Sequence, residues 1–299
     1  MNYVNIIDLL SGEKVITPKE IDFLSFNYKG INFKAYGILH GLIGGTNQEY
    51  RDMVNLTIAN SQGLKLGEKS MLKMYKGIDA ELDDWLEVPL QDVFKMTLDL
   101  CISPLKICSI IKTLYKETTQ KIDRFGVSGI KRLQDIGGSP QFHLINPYER
   151  RLLMGYPKSE DYMMENIKRR NGKGEIGKVI MGDPDWNWLT HIEMFANIPM
   201  RSIHMIEYAV HLATIKNKKE VCIFVGETHH TDIDWYVKQT AFNPVLEKEV
   251  NRIKARVNIS NREKLKRKYH YLLASCAGAA IPIWSYMLLA IYLIKILKN

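Results

Sequence analysis

The strongest apolar run in the first 250 residues is Val221-Cys-Ile-Phe-Val225, which feeds into Gly226-Glu227-Thr228-His229. Five apolar residues bounded by polar ones read as a buried strand ending in a polar loop. Phe33-Lys-Ala-Tyr-Gly37-Ile-Leu-His40 repeats this form inside a strand expected over residues 31–39. Residues 1 to about 30 read as an irregular or short-strand entry. Met53, Val54, Leu56 and Ile58 recur at helical spacing, and Thr46 or Asn47 can cap that helix. Leu64-Lys-Leu-Gly-Glu68 reads as a short strand with Glu68 near its carboxyl end. Strand, helix, strand predicts a β-α-β unit that places His40 and Glu68 at one edge of neighbouring parallel strands.

From Ala80 to about Arg170 the pattern is mainly helical. Residues 88–115 are apolar but interrupted by Asp92, Lys95, Asp99, Lys106 and Lys112, with Pro104 inside. This favours core-facing helices over a second membrane span, with an interfacial helix as the alternative. Gly172 to Lys178 has the G-x-x-x-x-G-K spacing of a phosphate loop. No apolar strand precedes it and Val179 stands where a hydroxyl is needed, so a turn is expected. Ile203, Ile206, Val210 and Ala213 form one buried stripe of a helix over about 201–216. A further helix over 244–256 follows Trp235. The predicted fold is α/β, with a mixed or parallel sheet flanked by helices. A largely helical middle insertion (about 80–195) and a C-terminal transmembrane helix complete it.

That last helix rests on residues 272–294, a stretch of 23 without a charged side chain. About 20 apolar residues suffice to cross a hydrocarbon core. Three zones follow: an α/β domain over 1–250, a basic juxtamembrane segment over 251–270 and an anchor over 271–299. The net charge is +8 in total, and residues 252–268 hold eight basic side chains and one acid (Glu263). That cluster suits anionic lipid headgroups beside a span and predicts a domain facing the cytoplasm. It lacks the aromatic interleaving of a nucleic-acid surface. The four cysteines show neither zinc spacing nor a disulfide framework. No secretory signal is expected at the N-terminus.

A glycine at a strand end allows a sharp turn, so a histidine three residues later can face a cleft. His40, His229 and Glu68 then offer two imidazoles and a carboxylate, a set that suits zinc, manganese or cobalt and leaves one position for water. Glu227 can serve as a further ligand or a general base. His230 and Asp232 can orient an imidazole. No His-Glu-x-x-His helix or Gly-x-Ser-x-Gly elbow is present.

The arrangement resembles the TraB/Tiki (TraB/PrgY/GumN) family, within the erythromycin esterase-like and ChaN-like group. Gly37-Ile-Leu-His40 and Gly226-Glu-Thr-His229 look like its two Gly-x-x-His motifs, and Glu68 like its glutamate. Arg201-Ser-Ile-His-Met205 looks like its Arg-Asn-x-x-Met helix start, with Ser202 in place of asparagine and Met200 before the arginine. The resemblance covers roughly residues 30–70 and 195–240. It implies a divalent-metal site on an α/β fold, with Glu227 and Arg201 as catalytic residues and a peptide or other small molecule as substrate near a membrane. The expected function is a membrane-anchored metal-dependent hydrolase, most simply a peptidase. The alternatives are a non-enzymatic binder of metal, haem or peptide, and a lipid-surface scaffold.

Overall fold

A computed structural model describes residues 3–11, 18–39, 47–83, 139–153, 158–170, 198–259 and 261–297, with Tyr156 and scattered positions between 90 and 137. His40, His191, the 41–46 turn, the glycine-rich 171–178 loop and most of 88–115 lie outside the described residues.

The chain enters through α1 (Ile6–Ser11), then β1 (Phe23–Tyr28) and β2 (Ile31–Ile38). Lys29 and Gly30 both have positive φ, 52° and 75°. Two such residues make the tight hairpin turn whose twist matches right-twisted strands. α2 (Gln48–Asn60) follows, with the Asn47 side chain accepting the Tyr50 amide as its cap. β3 (Leu64–Gly67), α3 (Lys69–Met74) and β4 (Ala80–Glu81) come next. A 3-10 turn (Pro140–Leu144) leads to α4 (Pro147–Leu153) and α5 (Ser159–Arg170). The last part holds α6 (Ile198–Ile215), β5 (Glu220–Gly226), α7 (Glu227–Lys238), α8 (Pro244–Lys254) and α9 (Asn261–Leu297).

The five described strands form one mixed sheet in the order β1-β2-β5-β3-β4. β1 pairs antiparallel with β2; the remaining pairs are parallel. One expectation is corrected here: β2 and β3 are not neighbours, because β5 lies between them. Phe33 faces Val221 on one side of β5, and Leu66 faces Ile223 on the other. The entry region holds the short strand expected there and, in addition, the helix α1, and Ala80–Glu81 is a strand where helix was expected.

Side chains alternate across the sheet and fill two cores. Phe33, Ala35, Val221, Ile223 and Val225 pack with α6, α7 and α8. Tyr36, Ile38, Cys222 and Phe224 pack on the other face with α1, α2 and α3. Each large aliphatic or aromatic side chain so buried contributes about 1.5–3 kcal/mol. With β2, β5, β3 and β4 parallel, their carboxyl ends share one edge, where open α/β sheets bind ligands.

α9 is 37 residues long, about 55 Å at 1.5 Å per residue. Its stretch Arg262–Ile296 has a mean hydropathy of 1.8 in its most apolar window, which is only 11% buried. This helix is long and apolar enough to cross a membrane. A short connection, Ala255 to residue 260, separates it from α8.

Candidate functional site

The second Gly-x-x-His does not open a loop. Gly226 ends β5 and is itself the N-terminal cap residue of α7, so Glu227 to Asp234 wind through its first two turns. Glu227 in the first turn complements the positive helix end. Successive side chains of α7 therefore fan to both sides of the β5 exit. All of Glu227, His229, His230, Asp232 and Asp234 are buried.

On the β3 side, His229 Nε2 stands 3.8 Å from Glu68 Oε1. Glu68 directly follows β3, and its Oε1 accepts the Gly226 amide at 2.5 Å. The His229 Nδ1 is 2.8 Å from Ser202 Oγ on α6, and Ser202 Oγ donates to the Ile198 carbonyl at 2.8 Å. With its one proton given to Ile198, Ser202 accepts from Nδ1–H. In the neutral ring that tautomer turns the Nε2 lone pair towards the Glu68 carboxylate. Two electron-rich donors facing each other suit a cation held between them. Asp232 Oδ2 lies 3.5 Å from the same hydroxyl, so it reaches His229 only through Ser202.

On the β2 side, Arg150 of α4 is wholly buried between two carboxylates. Its Nη2 meets Asp22 Oδ2 at 3.0 Å and its Nε meets Glu227 Oε1 at 2.8 Å. Arg151 pairs with Asp232 at 3.0 Å and donates to the Thr228 carbonyl and the Thr231 hydroxyl. His143 sits 3.0 Å from the Tyr50 hydroxyl, which accepts the Leu39 amide at 2.9 Å and so holds the strand exit that precedes His40. Burial, then Arg150, holds the His143 imidazole well below its ordinary pKa. Burial raises the Asp232 carboxyl, against the pull of Arg151.

Glu227 Oε2 and both ring nitrogens of His230 are buried with no hydrogen-bond partner among the described residues. Both side chains crowd Gly37 of β2. A Cβ built at Gly37 would collide with Glu227 Oε2 and lie 3.1 Å from its Cδ and 3.2 Å from His230 Cβ. The glycine in the first motif is thus needed for close approach of α7 to the sheet. Gly37→Ala is expected to cost about 1–3 kcal/mol as an overpacked core does, read as a lowered urea midpoint. An unchanged midpoint refutes the close approach.

The two orphaned groups have opposed pH dependence. Burial pushes the Glu227 carboxyl from 4.5 up to about 7, opposed by Arg150. The folded chain keeps that proton where the unfolded chain has lost it, so this contribution to stability falls as pH rises through the window. Burial, then Arg150, lowers the His230 imidazole from 6.5 to about 4. There the unfolded chain binds the extra proton, so this contribution is lost as pH falls. Between about pH 5 and pH 6, Glu227→Gln should add about 1.4 kcal/mol per pH unit to the slope of unfolding free energy, and His230→Asn should subtract as much. Urea unfolding of the full chain in detergent reads both; slopes equal to wild type in both variants refute the assignment.

Of the residues expected to act, Glu68 and His229 are brought together, Glu227 and His230 lie against Gly37 on the β2 side, and Asp232 supports Ser202. Arg201 lies half-buried in the first turn of α6, one position before Ser202. Among the described residues no group of three or more His, Cys, Asp or Glu side chains is placed to hold a metal; His40, the third expected ligand, lies outside them. Sequence reasoning missed Asp22, Arg150 and Arg151. Beside α7 a cavity of about 250 Å³ is lined by Tyr148, Leu152, Trp235, Arg151 and the start of α5. Comparison with protein-family models, with curated proteins and with solved structures gives no match.

Proposed function

We propose that the chain is a membrane-anchored, metal-dependent hydrolase acting on peptides. The observation that carries this reading is the facing pair Glu68–His229 at the ends of two adjacent parallel strands. The donor set fits a divalent cation such as zinc, manganese or cobalt, with His40 beyond Gly37 as the third ligand. Bound there, such a cation would polarise a carbonyl and acidify a water. Ser202 holds the His229 ring in one tautomer, and the Gly226 amide fixes Glu68. Glu227 is the proton acceptor: one of its oxygens is held by Arg150 and the other has no described partner. The apolar cavity at Tyr148, Leu152 and Trp235 would take a large side chain of the substrate. The basic residues of 252–268 support a domain facing the cytoplasm, against anionic lipid.

The test is metal content by elemental analysis of the detergent-purified full chain, followed by cleavage of a peptide library with the metal it retains. Near-stoichiometric metal with cleavage supports the reading; a folded chain without either overturns it. A second reading is favoured by the burial of Glu68 and His229, 6% and 3% exposed: the site holds a metal, haem or peptide and does not cut. Retained ligand without cleavage supports that alternative.

A further inference from the structure

One stripe of α9 is already covered by protein. Tyr271, Ala274, Ser275, Gly278 and Pro282 recur on one face, and Gly278 and Pro282 are buried, whereas every residue from Ile283 to Ile296 is exposed. At Gly278 the neighbour is a helical stretch whose described positions are Leu90, Val93, Phe94, Thr97, Leu98 and Cys101. Spacings of three and four put these on one face as well. A Cβ built at Gly278 would lie 2.5 Å from the Phe94 carbonyl oxygen, 3.1 Å from Thr97 Cβ and 3.3 Å from the Leu98 amide nitrogen. Eight residues further along α9, the Tyr286 hydroxyl donates to the Cys101 carbonyl at 3.3 Å. The two contacts advance together along both segments, which therefore run side by side for about 12 Å.

The depth of these contacts decides what surrounds them. Gly278 is the seventh and Tyr286 the fifteenth residue of the uncharged run 272–294. If that run fills a hydrocarbon core about 30 Å thick, both contacts lie inside it. Close approach at a glycine is how helices pack in lipid, where apolar surface alone does not drive association. The sequence Val93-Phe-Lys-Met-Thr-Leu-Asp-Leu-Cys101 tolerates that setting. Its two charges, Lys95 and Asp99, are opposite in sign and cancel in the sum.

We propose that the stretch through Val93, Phe94, Thr97, Leu98 and Cys101 enters the hydrocarbon core beside α9, so that the chain attaches to a bilayer through two helical segments joined at Gly278. This rests on α9 being a bilayer span. The basic residues of 252–268 flank the same side, so the lipid surface it fits is anionic.

The full chain is reconstituted in phosphatidylcholine–phosphatidylglycerol vesicles. One sample carries an environment-sensitive fluorophore on native Cys101, with Cys108 and Cys276 replaced by alanine. A companion sample also has Cys101→Ala and carries the fluorophore at Ile283→Cys; the buried Cys222 stays in both. Spin-labelled acyl chains are expected to quench most of the fluorescence at both positions. Quenching at Ile283→Cys alone leaves the span standing and overturns the second segment. Quenching at neither removes the span itself, and quenching at Cys101 alone overturns the shared depth of the two segments.

A second measurement is independent of the fluorophore. Tyr286→Cys with native Cys101, without Cys108 and Cys276, leaves Gly278 in place and puts two thiols within reach of a short bismaleimide, because the Tyr286 hydroxyl meets the Cys101 carbonyl. That reagent should join them in the same vesicles, seen as an intramolecular cross-link in tryptic fragments. Failure to cross-link overturns the packing on which the proposal stands.

Discussion

Arg150→Met is expected to cost about 3–5 kcal/mol of stability, enough to unfold a marginal domain. The guanidinium is wholly buried, and it is the cation between Asp22 and Glu227, themselves 4% and 3% exposed at the side chain. It also stacks 5.8 Å above the Phe142 ring, which a methionine replaces in part. Shape is therefore roughly kept while charge is lost. Removing one member leaves Asp22 and Glu227 in a dry site without their cation, and desolvation then outweighs the packing that remains. The triple variant Arg150→Met/Asp22→Asn/Glu227→Gln removes the charges together and should recover much of the loss, because replacing a whole buried network is far cheaper than breaking it. Urea midpoints of the full chain in detergent compare the three proteins. A single variant as stable as wild type would show that the network does not hold the fold.

The second large effect concerns the β3 side. His229→Ala removes an expected ligand and should abolish stoichiometric metal binding and any hydrolysis. Ser202→Ala keeps the imidazole but frees its ring and tautomer, so metal affinity should fall about 10–100-fold, the usual weight of such a support. The pair separates two roles that a single knockout confounds. Isothermal titration with zinc or manganese reads both, and circular dichroism checks folding. Equal affinity in wild type and Ser202→Ala would mean the hydroxyl has no orienting role; unchanged binding in His229→Ala would remove the site.

What was legible beforehand followed from local pattern. Apolar runs at 31–39, 64–67 and 221–225 and the uncharged run at 272–294 carry their own signal, since burial of consecutive side chains is written in consecutive letters. The Glu-Thr-His-His-Thr-Asp stretch after Gly226 was misleading for a physical reason. Its polarity looked like contact with water, whereas it serves a buried network, so a helix was read as a loop. Asp22, Arg150 and Arg151 were illegible because a buried charge is recognisable only beside its partner, and Arg150 lies 128 residues from Asp22. Ser202 stood out only as a departure from the resembled motif; its meaning needed the His229 ring beside it. The order of the sheet was equally out of reach, because no local feature of β2 or β3 announces that β5 will separate them.

That insertion has a consequence for how the chain is made. Phe33 pairs with Val221 across 188 residues. At about 5–20 residues per second, β2 leaves the ribosome many seconds before its neighbour exists. Until then β2 and β3 each present an unsatisfied edge, and the β1–β2 hairpin has only one side protected. The centre of the sheet closes last, a high-contact-order step that slows folding. Nascent chains stalled before residue 220 should therefore recruit chaperones or aggregate, whereas stalling after α8 should release a protease-resistant domain.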